Sequence, residues 1–145
     1  DTDAIAFLYD DQRPENSPIT AQLESLQNDD LVCISILSLF EFEYSFANTT
    51  EPVKKSQIRN TIDNIQYNSF FNILSLNTEI ARIYGEVKSL LKNREQISRN
   101  NIKKHNIDIM LASTALQEEC IIISGDNIYL TIAKYKPSLQ IQTWW

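Results

Sequence analysis

Short apolar runs that alternate with helix-periodic segments constrain the fold of this chain more than any other feature of its sequence. The clearest runs are LVCISIL at 31–37, FFNILSL at 70–76 and CIIIS at 120–124. Continuous apolar runs of this length, the first and last rich in β-branched residues, are typical of buried parallel strands. These three runs and residues 139–145 are therefore predicted to be strands.

Segments with helical spacing or capping signals lie between the predicted strands. Strands that alternate with helices indicate a three-layer α/β/α domain with a mostly parallel central sheet. The length of 145 residues fits a single domain. Residues 3–9 fit either a strand end or a helix start. Helices are predicted from Ser17-Pro18, over 38–48, from Glu51-Pro52, from Asn77 or Thr78 to about Leu91, over 107–119 and over 127–135.

Composition excludes several classes of site. Neither Gly85 nor Gly125 has the companions that a glycine-rich phosphate loop needs. Cys33 and Cys120 lie in apolar runs, so we expect buried thiols, and one histidine is too few for a structural zinc site. No apolar run approaches the length of a membrane span, so a reducing cytoplasm is expected. The net charge of −6 disfavours an affinity built on many phosphate contacts.

Four acidic residues fall where a parallel sheet places a functional site, beyond the carboxyl ends of its strands. They are Asp1, Glu41, Asp108 and Asp126. Four converging carboxylates repel one another unless a cation compensates, and Mg²⁺ or Mn²⁺ prefers such oxygen ligands. The hydroxyls of Thr2 and Ser124 are candidates for orienting the carboxylates or the metal-bound waters.

Each acid also has a purely structural interpretation. Ser38-x-x-Glu41 fits a capping box, which is the preferred interpretation of Glu41 from spacing alone. Asp108 suits a helix N-terminus, Asp126 suits a turn after Gly125, and Asp1 lies at a chain end where disorder is common. The metal-site hypothesis therefore depends on all four acids falling at one edge.

Five segments follow one another along the chain in a recognisable order: Asp1-Thr2-Asp3, ISILSLFEFEYSFA, IARIYGEV, IDIMLASTAL and IIISGDNIYL. This ordered set, which covers essentially the whole chain, resembles the PIN-domain ribonucleases and most closely the VapC-type toxins of bacterial toxin–antitoxin pairs. Glu41 takes the acidic position of the second segment, with Glu43 as a weaker candidate. The chain departs from the family at Asp3, where Asn is usual, and at Ser124, where Thr is usual. The family's hydrophobic first strand is expected upstream of Asp1.

The resemblance implies a Mg²⁺- or Mn²⁺-dependent endoribonuclease that is active as a homodimer and neutralised by a protein antitoxin. It assigns the metal ligands to Asp1, Glu41, Asp108 and Asp126, with a metal-bound water as the nucleophile.

Basic residues are concentrated between Lys88 and His105, a segment that contains six lysines and arginines and one acidic residue. This segment has a net charge of +5, which leaves −11 for the rest of a chain whose total is −6. We expect Arg99, Lys103 and Lys104 to contact RNA phosphates, although a solvated helix face explains the segment equally well. His105 is interpreted as a solvated loop residue.

Two other functions stay open at this point. Asp1-x-Asp3 before an apolar stretch resembles the acid pair of haloacid dehalogenase-type phosphatases, but no lysine lies in a convincing place for that chemistry. A catalytically inactive binding module would keep the fold without the metal.

Overall fold

The computed structural model describes residues 1–27 and 29–145, with Arg99 described by its backbone alone. These residues form two compact units, one of residues 1–75 with 144–145 and the other of residues 76–143. Both units combine helices with a pair of parallel strands. The predicted α/β class is therefore confirmed, whereas the single-domain organisation stays a prediction.

The first unit pairs two strands over an aliphatic and aromatic core. Its elements are α1 (Thr2–Leu8), α2 (Asn16–Glu24), β1 (Val32–Ser35), α3 (Ile36–Asn48), α4 (Pro52–Tyr67) and β2 (Phe71–Leu74). β1 and β2 run parallel, with Ile34 opposite Ile73. Ile34 packs in the core with Phe42 of α3 and with Ile62 of α4.

The second unit carries a second parallel strand pair. Its elements are α5 (Thr78–Arg94), α6 (Arg99–Lys104), α7 (Asn106–Gln117), β3 (Ile121–Ile123), α8 (Asn127–Ala133) and β4 (Gln140–Gln142). β3 and β4 run parallel, with Ile122 opposite Ile141. Ile80 and Val87 of α5 and Ile109 of α7 are fully buried, as the predicted apolar stripe and the small-residue helix require.

Two predicted helix starts are confirmed by their caps. The Glu51 carboxylate accepts hydrogen bonds from the backbone N–H groups of Val53 and Lys54, and Pro52 follows as the first helical residue. The Asn77 side chain accepts from the Ile80 N–H at 2.9 Å, and α5 extends to Arg94, beyond the predicted end.

Other boundaries were predicted wrongly. The first strand ends at Ser35, not Leu37, because the Ser35 hydroxyl accepts from the Leu37 N–H and starts α3 there. α2 begins at Asn16, whose side-chain amide donates to the last carbonyls of α1, and not at Ser17. The additional helix α6 (Arg99–Lys104) was not predicted. Of the two interpretations left open for residues 3–9, the helix is confirmed, since α1 spans Thr2–Leu8.

Cys33 and Cys120 were expected to be buried, but both are only half-buried. None of the helices in the described ranges combines the length and apolar character that crossing a membrane requires.

Candidate active site

Asp1 holds the start of α1. Its Oδ1 accepts a hydrogen bond from the backbone N–H of Ala4 at 2.9 Å, which makes it the N-cap of the helix. The residue is half-buried rather than a loose chain end. A helix N-terminus carries partial positive charge, so this position favours an ionised carboxylate.

Glu41 is tied to Thr2 by a hydroxyl contact that bridges 39 residues. The Thr2 Oγ1 lies 2.5 Å from Oε2 of Glu41 and 3.0 Å from Oγ of Ser38. The threonine hydroxyl has one proton and the carboxylate can only accept, so Thr2 donates to Glu41. The Ser38 hydroxyl is then placed to donate to Thr2, which gives the chain Ser38–Thr2–Glu41.

The capping-box interpretation of Ser38 and Glu41 is wrong. Ser35 is the N-cap of α3, and Ser38 lies inside the helix with 1% of its surface exposed. Glu41 lies in the second turn, too far along the helix to return a hydrogen bond to the cap. Its carboxylate is instead oriented by Thr2, which fits the orienting role predicted for that hydroxyl.

Asp108 lies in the first turn of α7, paired with the single histidine of the chain. Its Oδ2 is 3.0 Å from Nδ1 of His105, three residues earlier. Because an ionised carboxylate only accepts, the Nδ1–H of His105 donates to it. The histidine, interpreted as a solvated loop residue, lies in the turn between α6 and α7 with 39% of its side chain exposed, and it also contacts Asp108.

Asp126 follows β3 at the N-cap position of α8, yet its side chain makes no capping hydrogen bond. The hydroxyl of Ser124 accepts from the Asp126 N–H at 3.0 Å, and Ser124 itself is buried. Thr143 donates to the Ser124 carbonyl at 2.7 Å and fixes this turn further. Ser124 therefore shapes the turn, and the exposed carboxylate of Asp126 is not used for capping.

The predicted site residues thus fall into two groups. Asp1, which caps α1, and Glu41, which accepts from the Thr2 hydroxyl, belong to the first unit, whereas Asp108 and Asp126 belong to the second. Over its described residues, neither unit by itself gathers three or more His, Cys, Asp or Glu side chains in the geometry of a metal site. The donors are carboxylate oxygens with hydroxyls beside two of them, so their chemistry fits a hard divalent cation.

Sequence reasoning proposed Thr2 as an orienting hydroxyl but missed the contact of His105 with Asp108 and that of Ser38 with Thr2. The His105–Asp108 spacing of three residues at a helix start is a signal that could have indicated that pair. Ser38 gave no usable signal, since its contact with Thr2 joins residues 36 positions apart.

The basic segment lies on α5 and α6. Lys103 and Lys104 are exposed on α6, and the side chain of Arg99 lies outside the described part of the chain. Lys88 of α5 donates hydrogen bonds to the Tyr84 hydroxyl and to the Asn106 side-chain oxygen.

Comparisons with known proteins agree on one fold. The family described as PIN domain matches residues 1–135 of the chain. No curated protein matches the sequence. A solved structure of VapBC2 from Rickettsia felis, bound to a DNA fragment from their promoter, matches with a TM-score of 0.75 at 22% identity, covering 99% of this chain and 96% of that one.

Two further solved structures match at similar levels. VapBC-1 from nontypeable Haemophilus influenzae gives a TM-score of 0.69 at 20% identity, covering 97% of this chain and 92% of that chain. FitAcB from Neisseria gonorrhoeae gives 0.69 at 19% identity, with coverages of 97% and 95%. At these identities the structures establish a shared fold.

Proposed function

The chain belongs to the PIN domain family, and we propose that it is a metal-dependent endoribonuclease acting as the toxin of a toxin–antitoxin pair. The observation that carries the proposal is the family match over residues 1–135. It is supported by the positions of Asp1, Glu41, Asp108 and Asp126, each in or beside the first two turns of a helix.

We assign Mg²⁺ or Mn²⁺ binding to these four carboxylates. A bound cation of this kind would supply a water of lowered pKa beside an RNA phosphodiester. Thr2 orients the Glu41 carboxylate, His105 orients Asp108, and Ser124 shapes the turn that leaves Asp126 uncapped. Such hydrogen-bond partners of metal ligands fix ligand geometry and so tune the site.

We further propose an antitoxin protein and a second copy of the chain as partners, in the cytoplasm. Two of the matched structures are of VapBC complexes bound to DNA, one of them from Salmonella typhimurium. The first unit presents apolar side chains that a partner could cover. Phe40 and Tyr44 on α3 are 60% and 72% exposed, and Tyr67 at the end of α4 is 82% exposed.

No observation favours the phosphatase alternative. Asp1 and Asp3 lie at the N-cap and in the first turn of α1, and residues two apart on a helix do not face one another. Asp1 is already occupied in part by capping.

The test is cleavage of single-stranded RNA with and without Mg²⁺ or Mn²⁺. Loss of a metal ligand's hydrogen-bond partner alone costs about 10- to 100-fold in activity or affinity, so Asp108→Asn and Asp126→Asn should each cost at least that. Asp11→Asn, which changes an exposed acid outside the proposed ligand set, is the matched control and should cleave normally.

Several outcomes contradict the proposal. If the protein fails to cleave RNA with either metal, and binds neither metal, it is an inactive module. Hydrolysis of a small phosphomonoester that depends on Asp1 and Asp3 would favour the phosphatase. If RNA cleavage persists in both Asp108→Asn and Asp126→Asn, these two residues are not the metal ligands of the nuclease.

A further inference from the structure

An open groove in the second unit runs between α5 and α6 and has a volume of about 500 Å³. The side chains along it are mostly cationic or polar, and none of them is acidic. The residues that line the groove include Gly85, Lys88, Ser89, Lys92, Asn93 and Lys103.

The α5 side of the groove is one continuous helix face. Gly85, Lys88 and Lys92 are spaced by three and four residues, which places them in a row along the helix. The buried stripe of Val87 and Leu91 faces a different direction. A Cβ added at Gly85 would meet no atom within 4 Å, so the groove is open down to the helix backbone at this point.

Within the part of the chain that the structure describes, no acidic side chain forms an ion pair with a lysine of the groove. Lys88 is half-buried, and its ammonium is held by two neutral oxygens, the Tyr84 hydroxyl at 2.5 Å and the Asn106 Oδ1 at 2.7 Å. An ammonium has three donors, so one remains for a ligand. Over the described residues of this unit, the ion pairs of lysine and arginine engage Arg82, Lys134 and Lys136, and not the lysines of the groove.

We propose that this groove binds a backbone phosphate of single-stranded RNA. Three ammonium groups with a serine hydroxyl and an asparagine amide provide donors for an anion and no large aromatic surface for a peptide. Asn106, which holds Lys88, lies two residues before Asp108 in α7. A phosphate held by Lys88, Lys92 and Lys103 would therefore anchor the RNA chain beside the helix that carries Asp108. The choice of RNA rests on the proposed nuclease function.

The proposal is tested by fluorescence anisotropy with a labelled 2′-O-methyl oligoribonucleotide of twelve residues, which resists cleavage, over a series of salt concentrations. For single strands the slope of log affinity against log salt is about 0.7 per phosphate contact. The Lys92→Ala/Lys103→Ala double variant should reduce the magnitude of the slope by about this amount, because the groove holds one phosphate, and each single variant should reduce it by part of this amount. Thermal melting checks that all variants fold.

Two controls separate the groove from general charge. Lys54→Ala removes one exposed charge from α4 in the first unit and should leave the slope unchanged. Lys104→Ala removes the same charge one residue from Lys103, from a side chain that does not line the groove. If the groove is the binding site, it should change the slope by less than half as much as Lys103→Ala, whereas the sequence-based expectation that Lys104 also contacts RNA predicts an equal change.

An unchanged salt slope in the double variant contradicts the proposed phosphate site. A reduction of the slope in Lys54→Ala as large as that in the double variant also contradicts it. The proposal is also contradicted if the variants lose binding of inorganic phosphate but keep their binding of RNA. It is likewise contradicted if the wild type binds duplex DNA as tightly as single-stranded RNA. RNA cleavage is measured in parallel with Mg²⁺ or Mn²⁺. If the variants cleave RNA normally and their slopes are unaltered, the groove proposal is rejected and the nuclease proposal stands. If the slopes change but the wild type does not cleave RNA, the nuclease proposal is rejected and the groove proposal stands.

Discussion

Replacing Thr2 by Val tests whether the Ser38–Thr2–Glu41 chain orients the candidate metal ligand Glu41. Valine keeps the shape of threonine but has no hydroxyl. The Glu41 carboxylate would lose a donor at 2.5 Å, and the buried Ser38 hydroxyl would lose its neighbour at 3.0 Å. Thr2→Ser, which keeps the hydroxyl, is the matched control.

The expected loss follows from the burial of each group. A hydrogen bond to a charged group contributes about 1.5–3 kcal/mol, and the lower part of this range applies because Thr2 and Glu41 are both half-exposed. Ser38 is 1% exposed, so water cannot replace its lost partner, and an unsatisfied buried hydroxyl costs about 1 kcal/mol more. Thr2→Val should therefore lower the free energy of unfolding by about 2–3 kcal/mol.

Urea unfolding of Thr2→Val, Glu41→Ala and the double variant measures the coupling between the two side chains. We expect a coupling energy of about 1–2 kcal/mol, since the residues are in direct contact. RNA cleavage should fall by about 10- to 100-fold in Thr2→Val and recover in Thr2→Ser. Equal stability of the Val and Ser variants, together with a coupling energy near zero, would refute the reasoning.

Three stability predictions concern the scaffold. Ile62→Ala should cost about 2–5 kcal/mol in urea unfolding because Ile62 is completely buried in the first core, and a loss below 1 kcal/mol would contradict that packing. Asn77→Ala should cost about 1 kcal/mol by removing the cap of α5, and Asn77→Asp should retain most of it. The hydrogen bond from Lys136 and the charge of Arg82 hold the pKa of Glu86 below its ordinary value, so its ionised form stabilises the fold above that ordinary pKa. The melting temperature of Glu86→Gln should accordingly be lower than that of the wild type at neutral pH, and this difference should disappear as the pH falls through the lowered pKa.

The sequence predicted elements better than it predicted the contacts between them. The parallel strands and the starts of α4 and α5 follow from apolar runs and local caps, which act within a few residues. The passage from β1 to α3 was misjudged because LVCISIL is apolar on both sides of Ser35, and a buried strand and a buried helix start give the same pattern. Ser38 was the wrong cap for the same reason.

The partners of the four acids lie beyond local patterns to different degrees. His105 and Asp108 are three residues apart, so helical geometry alone brings their side chains together once α7 begins at Asn106. Thr2 and Glu41 are 39 residues apart and meet only because α1 and α3 belong to the same unit. The four acids were selected as candidates because strand ends and helix starts concentrate functional groups, a rule that needs topology but not contacts.

The net charge of −6 argued against RNA binding because it sums the charges of separate faces of the protein, which a single ligand does not contact together. On α5 the acids Glu79 and Glu86 are paired with Arg82 and Lys136 along one face. A different face of the same helix carries the groove lysines, whose charges no carboxylate compensates among the described residues. Since salt screens charges over about 8–10 Å, a phosphate in the groove would respond most strongly to the lysines that line it. Under the proposed groove, affinity for RNA would depend on how charge is distributed over the faces of α5, which the net charge of the chain does not reveal.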